Sequence, residues 1–312
     1  MKLLRRRFLC GTGGAVALAT LPPIAPAQTY PSRQVHLIEG FGAGGTPGML
    51  ASLLGRWLAE RLGQPFVVEN RSGTTGKIAT EAVVGASPDG HTLLLVVPAN
   101  VIEAVFTDNL GYDFRRDIAP VAGIYHVPYV MDVHPSVPAT TVPEVVTYAK
   151  RRLGKVNMAS AATGTGNQIA SELFKMTTGP DMVHVPYCGT QVDPDLLGGQ
   201  VRVFFGPLQS SRGRALAGLR GERLWFGVGA PRATPVEIVE KLNNEINAAL
   251  ADPTVKAKLA EQGGELLPGL PTNFDLYCKG RVPPWEVLEV DQRSLPWSRP
   301  RVCGSVARRA AE

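Results

Sequence analysis

Short apolar runs alternate with helical stripes along most of the chain. Val35–Ile38 reads as a strand, and a Gly-rich turn, Gly40–Thr46, leads into a helix predicted from Pro47 to Leu62. Met49, Leu50, Leu53, Leu54, Trp57 and Leu58 share one stripe of that helix, with Pro47 suited to its first turn and Gly63 to its stop. Strands are predicted at Phe66–Glu69 and Thr92–Val97, with a helix at Gly76–Val84 between them. The consecutive Leu and Val residues of the later strand mark one covered on both faces. This β-loop-α-β order implies a mostly parallel sheet with right-handed crossovers.

The second half repeats the theme. Val121–Tyr125 and Tyr129–Val133 read as strands around a turn, and Val142–Arg152 as a helix. The strand Val156–Ser160 runs into a second polar turn, Ala161–Asn167, and a helix follows to Thr177. Strands at Met182–Val185 and Val201–Phe205 precede helices at Pro235–Leu250 and Thr254–Glu261. No Pro-rich or charged linker divides the halves, so the expectation is two α/β lobes joined by crossing strands. Lobe 1 takes residues 28–125 plus 224–277, and lobe 2 takes 126–223. Residues 278–312 form an atypical tail, expected to be disordered: no period of 3.6 or 2.0 is visible, and Pro283, Pro284, Pro296 and Pro300 break any helix.

The first 27 residues change the address of the protein. A basic start (Lys2, Arg5, Arg6, Arg7), a weakly apolar stretch Gly11–Leu21 and the small-residue run Ala25-Pro26-Ala27 form the three parts of an export signal. Arg5-Arg6-Arg7-Phe8-Leu9 fits the twin-arginine variant, and cleavage is expected before Gln28, near Ala27, in a periplasmic protein. Cys10 precedes the apolar stretch, which argues against a lipoprotein anchor. The formal charge of +5 comes from this leader and the Arg-rich tail, so the body offers no basic footprint for nucleic acid. With 312 residues the chain is too long for one comfortable core, and no apolar run reaches the length of a membrane-spanning helix.

Chemistry-bearing residues are sparse. Cys188, Cys278 and Cys303 form no CxxC pair, and the five histidines lack metal-ligand spacing. His184 and Cys188 would stand about 13 Å apart on a strand, too far for a nucleophile and its base. No metal or cofactor site is expected. The two Gly/Thr turns are more telling, because each hands a strand over to a helix. Such a turn presents unpaired N–H groups at the positive end of a helix dipole, and glycine lets the main chain approach an anion. Two of them from different lobes suit a carboxylate gripped from both sides. The alternative is an exported dinucleotide-binding oxidoreductase: Gly40-x-Gly42-x-x-Gly45 matches that fingerprint, and Glu69 ends the next strand where an acid would meet a ribose. No acid–base pair for such an enzyme presents itself, so a non-enzymatic role is preferred.

Several motifs together resemble the periplasmic receptors of tripartite tricarboxylate transporters, the Bug family. They are Tyr30-Pro-Ser-Arg33, Phe41 with Gly44-Gly45, Val67-Val-Glu-Asn-Arg71 with Gly73 and Gly76, and Pro88-Asp-Gly-His-Thr-Leu-Leu94. Val183-His-Val-Pro-Tyr187, Leu196-Leu-Gly-Gly-Gln-Val201, Leu242-Asn243 and Ile246-Asn247 complete the match. The resemblance implies a two-lobed, type II periplasmic-binding-protein-like α/β fold that closes on a small organic di- or tricarboxylate and serves membrane subunits of a transporter, as a monomer. It places ligand contacts on Phe41, Gly42, Ala43, Gly44, Gly45 and Thr46, on Ala161, Ala162, Thr163, Gly164, Thr165, Gly166 and Asn167, and on Asn100 and Gly206. Main-chain donors and water bridges would hold the acid.

Departures from the family pattern carry their own expectations. Gly40 stands where a proline is common, Gly48 where an acid is common, and Cys188 where a base is common. Gly206 replaces an aspartate that meets the ammonium of amino-acid ligands, which implies an acid without a needed amine. Only Ala217–Arg223 intervene where the return crossing between lobes is expected, and the tail lacks a terminal helix. Both point to a degenerate receptor with impaired stability or closure.

Overall fold

A computed structural model describes residues 30–41, 45–107, 110–161, 164–187, 192–208, 214–279 and 286–289. The first strand, β1 (Val35–Glu39), lies parallel to both β2 (Phe66–Asn70) and β3 (Thr92–Val96), with α1 (Thr46–Leu62) and α2 (Lys77–Val84) as the crossovers. Alternation along β1 divides its side chains. Val35 and Leu37 join Leu50, Leu54 and Leu58 of α1, whereas Ile38 joins Ala79 and Val83 of α2 on the other face. Next come α3 (Pro98–Phe106), α4 (Phe114–Asp117) and the long β4 (Ile118–Val133).

A second group begins with α5 (Val142–Lys150), β5 (Asn157–Ser160) and α6 (Gly166–Thr178). It continues through β6 (Val183–Pro186), α7 (Val192–Leu197) and β7 (Val203–Pro207), with β5 parallel to both β6 and β7. The chain returns along β8 (Arg214–Pro231), then forms α8 (Val236–Ala251), α9 (Pro253–Ala260), β9 (Glu265–Leu266), α10 (Pro271–Cys278) and β10 (Glu286–Glu289). One sheet runs β2-β1-β3-β8-β4-β7-β5-β6, with β9 added to β4 and β10 to β8. The sheet is therefore mixed: the pairing is parallel within each strand–helix group and antiparallel where β4 and β8 join them. Met131, Val133, Met158, Phe174, Val203 and Phe205 form a core at the far end of β4 from the one built on β1 and β3.

Three expectations are corrected here. The turn predicted between Tyr125 and Tyr129 does not form, because β4 runs straight through it, buried nearly throughout and paired to β8 on one side and β7 on the other. Pro120 and Pro128 have no N–H for the ladder, and each sits at an irregularity in the β4–β8 register. The stretch expected to lack a return crossing is itself that crossing, since β8 pairs along β4 from Arg214↔Val133 to Pro231↔Ile118. Within the tail, Glu286–Glu289 pair with β8 as β10, so these four residues are not structureless. Helices α3, α7 and α10 were not legible in the pattern.

The recurrent motifs acquire structural roles. Arg33 pairs with Asp89 at 2.9 Å, the Tyr30 hydroxyl donates to the Gly90 carbonyl at 2.7 Å, and the rings of Tyr30 and His91 meet edge-on. The first and fourth motifs thus clasp each other. Asn243 donates to the carbonyls of Val121 and Gly269, while Asn247 accepts from the Gly269 N–H at 2.9 Å, so two side-chain amides tie the 269 turn to α8. Cys278 is buried against this core, and burial pushes its thiol up to about 12. Cys188 and Cys303 lie outside the described residues, as does the leader 1–27.

Candidate ligand-binding cleft

The first turn starts where β1 ends in a fully buried acid. Glu39 Oε2 accepts the Phe41 N–H at 2.8 Å, while Oε1 has no hydrogen-bond partner. Burial raises its carboxyl above the ordinary range, and the Phe41 N–H opposes that shift. A Cβ on Gly48, early in α1, would lie 3.8 Å from Glu39 Oε1, so Glu39 presents a carboxylate beside the position where the family pattern expects an acid. Gly45 caps α1 in extended conformation without a side-chain bond, and Thr46 opens the helix.

Close backbone packing fixes what surrounds this turn. A Cβ on Gly40 would fall 2.5 Å from the Gly76 Cα, which explains glycine where a proline is common. Gly76 has φ +86°, and a Cβ there would be 2.6 Å from Asn100 Nδ2 and 3.5 Å from the Phe41 ring. Asn100 is buried, accepts the Val97 N–H at 2.8 Å and donates to the Thr80 hydroxyl at 3.1 Å. That hydroxyl donates in turn to the Gly76 carbonyl. Phe41, Gly76 and Asn100 therefore form one locked assembly.

The second turn follows β5. Gly164, at φ +77°, donates its N–H to Gln168 Oε1 at 2.6 Å. Thr165 caps α6 and hydrogen-bonds Asn167, whose side chain is buried. A Cβ on Gly166 would lie 2.7 Å from the Tyr129 hydroxyl of β4. The second turn approaches the segment before α2: a Cβ on Gly164 would come 3.1 Å from the Thr75 methyl. Thr75 precedes Gly76 directly, so the second turn faces the Phe41–Gly76–Asn100 assembly.

Phe41, Gly45, Thr46 and Asn100 thus sit at the first turn, and Ala161, Gly164, Thr165, Gly166 and Asn167 at the second. Gly42, Ala43, Gly44, Ala162 and Thr163 lie outside the described residues. Gly206 is placed on β7 opposite Val130, where a Cβ would be 3.5 Å from Asp132 Oδ2. No described contact links it to Thr75 or Phe41. No lysine or arginine is among the buried residues described.

Sequence reasoning missed Thr75, Glu39, Tyr129 and the Ser160–His184 pair. Only Glu39 left a signal, as a lone acid closing an apolar strand. Glu69, proposed as the ribose acid of a dinucleotide site, is already engaged. It pairs with Arg71 at 2.8 Å and also bonds His36, and Arg71 foremost holds its carboxyl below the ordinary range.

Comparison with known proteins identifies the family and lends no support to the oxidoreductase. Residues 51–221 match the family model described as the tripartite tricarboxylate transporter family receptor. The chain is 31% identical over 322 residues to a UPF0065 protein encoded between tcbD and tcbE in Pseudomonas sp. strain P51, covering 93% of this chain and 95% of that one. It is 30% identical to protein BugT of Bordetella pertussis, covering 89% and 95%. Among solved structures, the R. palustris protein Rpa4515 with adipate superposes with a TM-score of 0.74 at 33% identity over 80% of this chain and 94% of that one. The periplasmic binding protein BugD gives 0.68 at 25% identity, over 81% and 95%. The fold is that of the periplasmic solute-binding proteins, and the chain belongs to the tripartite tricarboxylate transporter receptor family.

Proposed function

We propose that this receptor captures a small dicarboxylate between the Phe41–Thr46 and Ala161–Asn167 turns in the periplasm and delivers it to the membrane subunits of a tripartite transporter. The observation that carries the reading is the approach of Gly164 to Thr75, whose neighbour Gly76 packs against Gly40 and Phe41 of the first turn; it supports a cleft lined by both turns. Each turn offers helix-terminal N–H groups, and an anion between them is stabilised by both dipoles. The adipate bound by the R. palustris relative supports a linear dicarboxylate as the ligand class. Residues 28–125 with 224–277 act as one lobe and 126–223 as the other, with closure presenting a new surface to the membrane partner. The leader is removed near Ala27, and the mature receptor works as a monomer without turnover.

Calorimetry and thermal shift against adipate, shorter dicarboxylates, citrate, glutarate paired with glutamate, and nicotinamide dinucleotides test this. The expected result is a cooperative melt raised by at least one dicarboxylate, with glutarate bound no more weakly than glutamate. A chain that melts cooperatively yet responds to none of the acids overturns the proposal. Saturable quenching of nicotinamide fluorescence would favour the dinucleotide site instead.

A further inference from the structure

Thr75 is doubly anomalous. Its backbone has φ +55° and ψ +12°, and it is the one described non-glycine residue with positive φ. A β-branched side chain is strained there, because its Cβ substituents crowd the backbone. Its hydroxyl is buried and has no hydrogen-bond partner, and the residue as a whole is 7% exposed. Glycine at this position would relieve the first cost, and any apolar side chain the second. Strained residues with orphaned polar atoms cluster where a ligand completes the structure.

The surroundings say which ligand. Thr75 and Gly76 are consecutive left-handed residues leading into α2, whose N-terminus carries no side-chain cap. The Thr75 methyl lies 3.1 Å from where a Cβ on Gly164 would stand, and a Cβ on Gly76 would crowd Asn100 and meet the Phe41 ring. An unpartnered hydroxyl on the residue just before a helix N-cap, with no buried cation among the described residues, suits a carboxylate oxygen.

We infer that Thr75 is a ligand contact: its hydroxyl donates to a carboxylate held between the two turns, with the α2 N-terminus as a third anion-stabilising element. This rests on the receptor reading above. The strain and the unmet hydroxyl are the cost of presenting that donor before the ligand arrives.

The test uses the full mature chain with adipate and glutarate as probes, and three variants. Thr75→Val keeps the shape and the strain but removes the donor. Thr75→Ser restores the donor, and Thr75→Gly removes donor and strain together. A hydrogen bond to a charged group predicts about tenfold or greater loss of affinity for Thr75→Val. Thr75→Ser is expected to stay within about threefold of wild type on the same scale. Thr75→Gly should melt at a higher temperature than wild type without ligand, yet bind more weakly. If wild type binds and the Val and Gly variants bind equally well, the assignment of Thr75 is wrong while the receptor reading stands. If wild type binds neither probe nor any other acid, both are overturned.

Discussion

The Ser160 hydroxyl lies 2.7 Å from His184 Nε2, joining the last residue of β5 to the middle of β6 just below the second turn. Burial foremost pulls the His184 imidazole below its ordinary value; Lys175 adds to that and Glu172 opposes it. The folded chain therefore prefers the neutral ring, hydrogen-bonded to Ser160. This stability is complete above the unfolded pKa of about 6.5 and is lost as pH falls through it towards the folded value. Urea midpoints should drop more between about pH 8 and pH 5.5 for wild type than for His184→Asn. Equal drops would show that the histidine does not couple to folding.

Glu39 couples in the opposite sense. Its carboxyl is raised by burial, so the folded state favours the protonated form, and the cost of burying the charge appears as pH rises above the unfolded value of about 4.3. Glu39→Gln keeps an oxygen for the Phe41 N–H and removes the charge. The variant should be more stable than wild type at neutral pH, and the advantage should vanish near about pH 4. A variant less stable than wild type at pH 7 would mean the ionised carboxylate is needed to hold the first turn.

These two residues also show how far the sequence could be read. The strand–helix alternation that places Glu39 and Ser160 at strand ends was visible, because apolar runs and amphipathic stripes have distinct periods. The two turns were visible because glycine and threonine cluster there. Thr75 was invisible, since its significance lies in a left-handed backbone and an unmet hydroxyl, neither of which has a periodic signature. The continuous β4 reads in the sequence as two strands around a turn because its pairing to β8 and β7 has no local signature. Pairing between strands far apart in sequence is set by tertiary contact, not by local propensity.

Packing of α10 gives a sharper stability test. A Cβ on Gly227 of β8 would sit 2.0 Å from Phe274 Cζ, with Trp225 and Tyr277 closing the ring cluster around it. Neither the strand backbone nor the enclosed ring has room to yield. Gly227→Ala should therefore destabilise by about 1–3 kcal/mol through overpacking, read as a lower urea midpoint with unchanged slope. A neutral effect would mean that α10 does not dock on β8 as described.

Gly164→Ala isolates the approach of the second turn to Thr75. At φ +77° an alanine is strained, and its methyl would lie 3.1 Å from Thr75 Cγ2, tighter than ordinary contact. The left-handed strain is local and costs about 1–2 kcal/mol. The crowding acts only where the second turn approaches Thr75, and so, under the proposed closure on a ligand, falls on the bound state. The variant should accordingly lose more binding free energy for adipate than it loses in unfolding free energy, with a faster ligand off-rate. Paired calorimetry and urea unfolding measure both quantities on the same protein. Losses confined to unfolding, with adipate affinity intact, would place Gly164 outside the closing contact and leave the turn with a purely structural role.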